Sequence, residues 1–295
     1  MNRKEWTQLA FGGLMGALLP AGFARPAGTT RRKMDVILGA QTYSFRDRSL
    51  DATLAAMNEL GLKSCELWEG HVTSSEIFHN RQALRKWRTT VPMDELYRVR
   101  EKFEKAGIDI QAYTVTMKDN VTDQELDRIF QMTRALGTDI ITSSATVSVM
   151  PRIDVYARRY KTIVAMHNHA HVDRPNEFST PETFARGMEG NSEYIRINLD
   201  IGHFTAANCD PVDYMKKMHD KIDCIHVKDR KRNDGPRTRF GEGDTPIKEV
   251  LQLIRDNQWP IVANIEFEYK GDTMTEMKRC IEYCKKALAE STQVR

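Results

Sequence analysis

Cysteine is scarce in this chain of 295 residues: Cys65, Cys209, Cys224, Cys280 and Cys284 make an odd number, and no C-x-x-C pair occurs. That excludes a disulfide framework and a thiolate zinc site. Cys280 and Cys284 share one face of an expected helix, a spacing that seldom suits a disulfide, so free and partly buried thiols are expected. No Walker, dinucleotide or G-x-S-x-G motif is present, which removes the chemistries those motifs carry. An excess of one charge is also lacking: 44 Lys and Arg stand against 41 Asp and Glu, a net charge of +3 with the signs well mixed. This balance offers no case for a nucleic-acid partner, and the basic run Arg230-Lys231-Arg232 reads as a solvated loop. After residue 35 no Pro/Gly/Ser-rich linker interrupts the chain, and no run is long and apolar enough to span a membrane.

The first residues are of another kind. Arg3 and Lys4 precede an uncharged, Gly-containing stretch from Leu9 to Phe23, which ends at Gly22-Phe23-Ala24 before Arg25-Pro26. A basic start, an apolar stretch and small residues at a cleavage position form a secretion signal. The expected organisation is a signal over 1–24, a linker over 25–35 and one domain over 36–290. The product would then be exported, in the periplasm, with no stable membrane insertion after processing; a cytoplasmic protein is the alternative. The start resembles a twin-arginine signal, with Lys4 in place of the second arginine.

From residue 36 short β-rich runs alternate with amphipathic segments. The expected strands are Val36–Thr42, Ser64–Trp68, Ile108–Val115, Asp139–Ser144, Thr162–His167, Ile195–Asp200, Ile222–Lys228 and Ile261–Glu268. Helical patterns fall at Leu50–Leu60, Met93–Ala106, Asp123–Leu136, Arg152–Arg159, Pro181–Met188, Asp210–Met218, Ile247–Asn257 and Thr275–Glu290. Eight strands alternating with eight helices predict an α/β fold closed as a (β/α)8 TIM barrel, with an open doubly wound sheet as the rival. The rival would show a Gly-rich phosphate loop after an early strand, and none is present. The long connections Glu69–Pro92 and Asp229–Asp244 would sit at the catalytic mouth.

Four consecutive strand ends carry His, Asp or Glu. Strand alternation groups His167 with His169, Asn198 with Asp200, His226 with Lys228 and Glu266 with Glu268. In a closed barrel those ends converge, and carboxylates brought together in low dielectric need a counter-ion. A divalent cation supplies it, and mixed imidazole and carboxylate donors suit Mn, Co, Fe, Zn or Mg.

These segments resemble the xylose isomerase-like TIM-barrel superfamily of sugar phosphate isomerases and epimerases, from about Val36 to Leu288. The resemblance rests on Leu199-Asp200-Ile201-Gly202-His203, Ile225-His226-Val227-Lys228-Asp229, Gly241-Glu242-Gly243 and Ile265-Glu266-Phe267-Glu268. It implies Asp200, His226 and Glu266 as metal ligands. His167 stands where the epimerase branch usually has a fourth ligand, a Glu that doubles as a proton-transfer group. It further implies a carbohydrate substrate, and relatives that act on 3-keto-glycosides. It also implies Glu66 and Trp68, with His71 beyond, as residues that grip the sugar. Tyr43 would wall the pocket. Arg88, with Trp87, would either close over substrate or clamp its own loop.

The chemistry expected is proton abstraction next to a carbonyl, by an isomerase, epimerase or lyase. Glu268, His169 and His203 are the candidate acid–base groups. Lys228 either binds a substrate oxygen or pairs with Asp229 or Asp200 for structure. Two rivals remain: a metal phosphodiesterase of the endonuclease IV type, which needs several metals, and a non-catalytic sugar-binding barrel.

Overall fold

A computed structural model describes residues 35–291. The expected signal and almost all of the expected linker lie outside the described residues. Eight parallel strands close into a barrel in chain order, β8 pairing back onto β1. They are β1 (Leu38–Gln41), β2 (Ser64–Trp68), β3 (Asp109–Thr114), β4 (Ile140–Ser143), β5 (Ile163–His167), β6 (Ile195–Asp200), β7 (Ile222–Val227) and β8 (Val262–Ile265). The TIM barrel expected from the alternation is therefore the fold, and the open sheet is not.

The helices are α1 (Leu50–Glu59), α2 (Ser75–His79), α3 (Arg81–Thr90), α4 (Met93–Ala106), α5 (Asp123–Ala135), α6 (Met150–Tyr160), α7 (Pro181–Met188), α8 (Ile201–Ala206), α9 (Pro211–Met218), α10 (Ile247–Asn257) and α11 (Thr273–Ala289). Their starts follow local chemistry. Thr122 and Glu125 form a capping box on α5, and Pro occupies the first turn of α6, α7 and α9. Outward strand residues such as Leu67, Ile197, Leu199 and Ile225 pack against helix residues such as Phe103, Phe130, Phe184 and Ile254, all essentially inaccessible. Each such side chain contributes about 1.5–3 kcal/mol by burial, which is what holds the helices to the sheet.

The inward strand residues are different: Gln41, Glu66, Thr114, Thr142, Asn198, His226 and Asn264 are polar and linked by hydrogen bonds. Strand register stacks the functional positions, with His167 beside Asn198, Asp200 beside His226 and His226 beside Asn264.

Two expectations need correction. β8 ends at Ile265 rather than at Glu268. Glu266 keeps one ladder-like bond, its N–H donating to Val227 O, and the Phe267 N–H is taken by Ser44 Oγ at 2.9 Å. The long connection Glu69–Pro92 is no open loop but carries α2 and α3. The α3 sequence is nearly all polar, so its apolar stripe is thin; its start is nonetheless marked by Asn80, whose Oδ1 accepts from the N–H groups of Gln82 and Ala83.

Candidate metal centre and active site

Each residue at the mouth is aimed by its own neighbourhood. Asp200 ends β6 and caps α8: its Oδ1 accepts from the His203 N–H at 2.6 Å, which leaves Oδ2 turned to the barrel axis. Asn168 holds the same point from β5, donating to Asp200 O at 3.1 Å and accepting from the Asp200 N–H at 2.9 Å. Gly202 follows because a Cβ there would lie 2.7 Å from Lys228 O. Ser144 meets His167 Nδ1 at 3.3 Å, so Nε2 faces inward. His226 places Nε2 2.8 Å from Glu66 Oε2, and Nδ1 2.9 Å from Glu266 Oε2.

His167, Asp200, His226 and Glu266 thus meet, with one donor atom from each within 4.8 Å of the others. The atoms that face one another are His167 Nε2, Asp200 Oδ2, His226 Nδ1 and Glu266 Oε2. Each is buried and lacks a well-directed hydrogen bond, the close approaches being ion pairs of Lys228 with the two carboxylate oxygens and of His226 Nδ1 with Glu266. Buried polar atoms are nearly always well hydrogen-bonded, so four that converge without such bonds mark a place for a cation. Two imidazole nitrogens and two carboxylate oxygens suit a borderline divalent metal, and the set fits one. The carboxyls are ionised. Burial opposes this, but Lys228, with contacts from His167 and His226, holds Asp200 well below the usual range, and Lys228 and His226 do the same for Glu266.

Lys228 lies beside this cluster. Its Nζ is 3.0 Å from Asp200, 2.9 Å from Glu266 and 2.6 Å from Glu268. These carboxylates outweigh burial and keep it charged. Of the two structural partners expected for Lys228, the geometry selects Asp200. Asp229 instead accepts from the N–H groups of Gly241, Gly243 and Thr245 and ties down the following loop; a Cβ at Gly243 would lie 1.8 Å from its carboxylate. Glu268 is held on Oε2 by Lys228 and by Arg237 Nε at 2.7 Å.

Several expected roles change. Glu66 is fully buried beneath His226, so it cannot grip a sugar; it accepts from Gln41, Thr114, Thr142, Asn198, His226 and Asn264. That arrangement fixes the Nε2–H of His226 and leaves Nδ1 for a metal. His203 cannot serve as a base: Arg230 Nη1 lies 2.7 Å from its Nδ1, and a guanidinium only donates, so the lone pair is taken. Lys228 Nζ, which also only donates, lies 3.1 Å from Nε2, so the ring's lone pair meets a cation whichever nitrogen carries the proton. Arg230 is correspondingly buried and not part of a solvated run, whereas Arg232 is exposed. Arg88 does not close over substrate. It is buried and paired to both Glu69 oxygens at 2.7 and 2.5 Å, with Glu125 at 3.7 Å, so it clamps α3 to the barrel.

His169 lies between His167 and His203, ring centroids 5.0 and 5.3 Å away. Burial, with His167 and Lys228 next, pushes it down to about 3, so it is neutral at working pH. Tyr43, Trp68 and His71 form one aromatic group beside the mouth, Trp68 lying edge-on to Tyr43 at 5.1 Å and to His71 at 5.3 Å. Ser144, Asn168, Arg230 and Arg237 were not among the expected residues. Of these, Asn168 alone left a sequence signal, as the middle of His167-Asn168-His169 on the opposite face of the strand.

Comparison with solved structures places the same fold elsewhere. An uncharacterised protein of Parabacteroides distasonis is 24% identical, with a TM-score of 0.62 over 86% of this chain and 99% of that one. A zinc-bound IolI protein is 15% identical, with a TM-score of 0.66 over 86% and 98%. The 3-keto-D-glucoside 4-epimerase YcjR of E. coli is 11% identical, with a TM-score of 0.65 over 85% and 100%. At these identities the likeness is one of fold. No curated protein matches the sequence. The family described as xylose isomerase-like TIM barrel matches residues 54–287, and the chain belongs to that family.

Proposed function

We propose that the protein is a divalent-metal enzyme that moves a proton next to the carbonyl of a keto-sugar, as an isomerase, epimerase or lyase. The observation that carries this reading is the convergence of four buried donor atoms, from His167, Asp200, His226 and Glu266, at the barrel mouth. A cation held there would supply Lewis acidity against negative charge developing on a carbonyl oxygen. The neighbours support it by their names: one binds zinc, and another acts on a keto-glucoside.

The chain's own groups divide the remaining work. Glu268 is the proton acceptor, since it stands on the rim and its known partners occupy only Oε2. Lys228 is a charged donor beside the cluster, suited to an oxygen that gains charge. His169 lacks a side-chain hydrogen bond among the described residues, and burial makes it a weak base. The phosphodiesterase reading loses ground on the number of ligands. A multi-metal site needs several further His or Glu ligands, and among the described residues one cluster of four candidate ligands is found.

The test is incubation of metal-loaded protein with aldoses, ketoses and 3-keto-glycosides in deuterated water, followed by NMR. Exchange at carbon next to the carbonyl is expected. Absence of exchange with every substrate, from protein of full metal content, would overturn the proposal and favour a sugar-binding barrel.

A further inference from the structure

A cavity of about 490 Å³ opens between the ends of β1 and β2. Its wall includes Tyr43, Trp68, His71, Thr73 and Phe78. The Trp68 ring is met edge-on by Tyr43, by His71 and, at 4.7 Å, by Phe78. Trp68 stands two residues along β2 from Glu66, and so on the same face, one pleat further out than the carboxylate that holds His226. A second cavity, of about 510 Å³, is bounded by Phe267 and Glu268. Arg46 belongs to the walls of both. It donates to Tyr43 O at 3.2 Å and Phe267 O at 3.1 Å, with its guanidinium 4.7 Å from the Tyr43 ring. The two cavities are therefore neighbours with one shared side chain between them, and the second reaches Glu268, 2.6 Å from Lys228.

Two polar atoms in the first wall are buried without a partner: His71 Nδ1 and Thr73 Oγ1. His71 is 8% exposed. Its Nε2 lies 3.3 Å from Phe45 O, and a carbonyl only accepts, so Nε2 carries the proton. Burial holds the ring in its neutral form, which leaves Nδ1 as a lone pair with no donor. A wall of aromatic rings with an unpaired acceptor and an unpaired hydroxyl suits a ring that has C–H faces and hydroxyl groups together, which is a sugar.

We propose that this cavity is a second carbohydrate subsite, holding the neighbouring ring of a glycoside while the ring to be transformed lies by Lys228 and Glu268. The assignment of the transformed ring rests on the function proposed above; the assignment of the cavity rests on its own walls. The substrate is accordingly at least two rings long.

Calorimetric titration of the full chain with glucose, galactose, xylose, cellobiose, maltose and lactose tests this without turnover. At least one disaccharide is expected to bind about tenfold or more tightly than its component monosaccharides. Thr73→Val, which removes the hydroxyl and keeps the shape, is expected to weaken that disaccharide about tenfold and leave the monosaccharides unchanged. Phe78→Ala, which removes part of the aromatic wall, is a second variant should the first not fold. Disaccharides that bind no tighter than monosaccharides, no sugar binding at all, or equal weakening of both by the variants would each overturn the subsite. Disaccharide preference without proton exchange on any keto-sugar would sink the proposed reaction and leave the subsite standing; exchange without that preference would do the reverse.

Discussion

At the scale of single residues, the candidate ligand atoms and the groups around them separate by what they touch. Glu268 contacts two cations and no core residue through hydrogen bonds, so Glu268→Gln should preserve thermal stability and metal content. Turnover and solvent-deuterium exchange should fall by about 10²–10⁴, the usual cost of a missing base; unchanged turnover would remove Glu268 from the role. Glu66→Gln acts by another route. It keeps the shape but loses the charge that fixes His226, so metal affinity measured by competition with a chromogenic chelator should drop about 10–100-fold. An unaltered affinity would make Glu66 structural only. Asp200, His226 and Glu266 were legible because alternation on a strand is local and three strand ends repeat it. The buried position of Glu66 and the engagement of the His203 lone pair were not, because each depends on partners far along the chain, Arg230 in one case and six side chains in the other.

At the scale of elements, strand and helix positions followed from periodicity, and the errors fell where packing replaces pattern. α3 was missed because its inner face is held by charge as much as by apolar contact, Arg88 pairing with Glu69 and Glu125. Arg88→Met leaves Glu69 buried without its partner, which should cost about 3–5 kcal/mol in urea denaturation. The double variant Glu69→Gln/Arg88→Met should recover part of that loss; a cost under about 0.5 kcal/mol would show that the pair does not hold α3. The loop after β5 is tied by Glu177, which accepts from His171 at 2.9 Å and Lys118 at 3.3 Å. Burial would raise its carboxyl, but these partners outweigh burial and hold it at about 2. A depressed folded value means stability that is present above the unfolded value of about 4.3 and lost as pH falls toward 2. Glu177→Gln should therefore cost on the order of 1–2 kcal/mol at pH 7, and the gap to the parent should narrow between pH 5 and pH 3. A pH-independent gap would assign the effect to packing.

At the scale of the whole molecule, barrel closure gathers carboxylates and imidazoles on one side of the mouth, with ligand candidates on β5 and β6 and at the ends of β7 and β8. Chelation should lower the melting temperature by about 5–10 °C, since a cation bound only by the folded chain adds a few kcal/mol when well above its dissociation constant. Identical melting curves with and without chelator would argue against a metal at this site. Export remains a proposal drawn from Arg3, Lys4 and the uncharged stretch to Ala24. A mature N-terminus near Arg25 on protein from outside the cytoplasm is expected, and intact Met1 on protein found only inside would refute it. The Glu66 carboxylate bears on how the chain reaches its folded state. Its acceptor sites are filled from β1, β3, β4, β6, β7 and β8 together, so no fragment holding half of the strands can satisfy it. A partly assembled sheet must either leave that carboxylate in water at an open seam or bury it short of donors. Intermediates with an unclosed barrel are thereby disfavoured, the final closure becomes a cooperative event, and replacing Glu66 by an apolar residue should let partly closed forms accumulate during refolding.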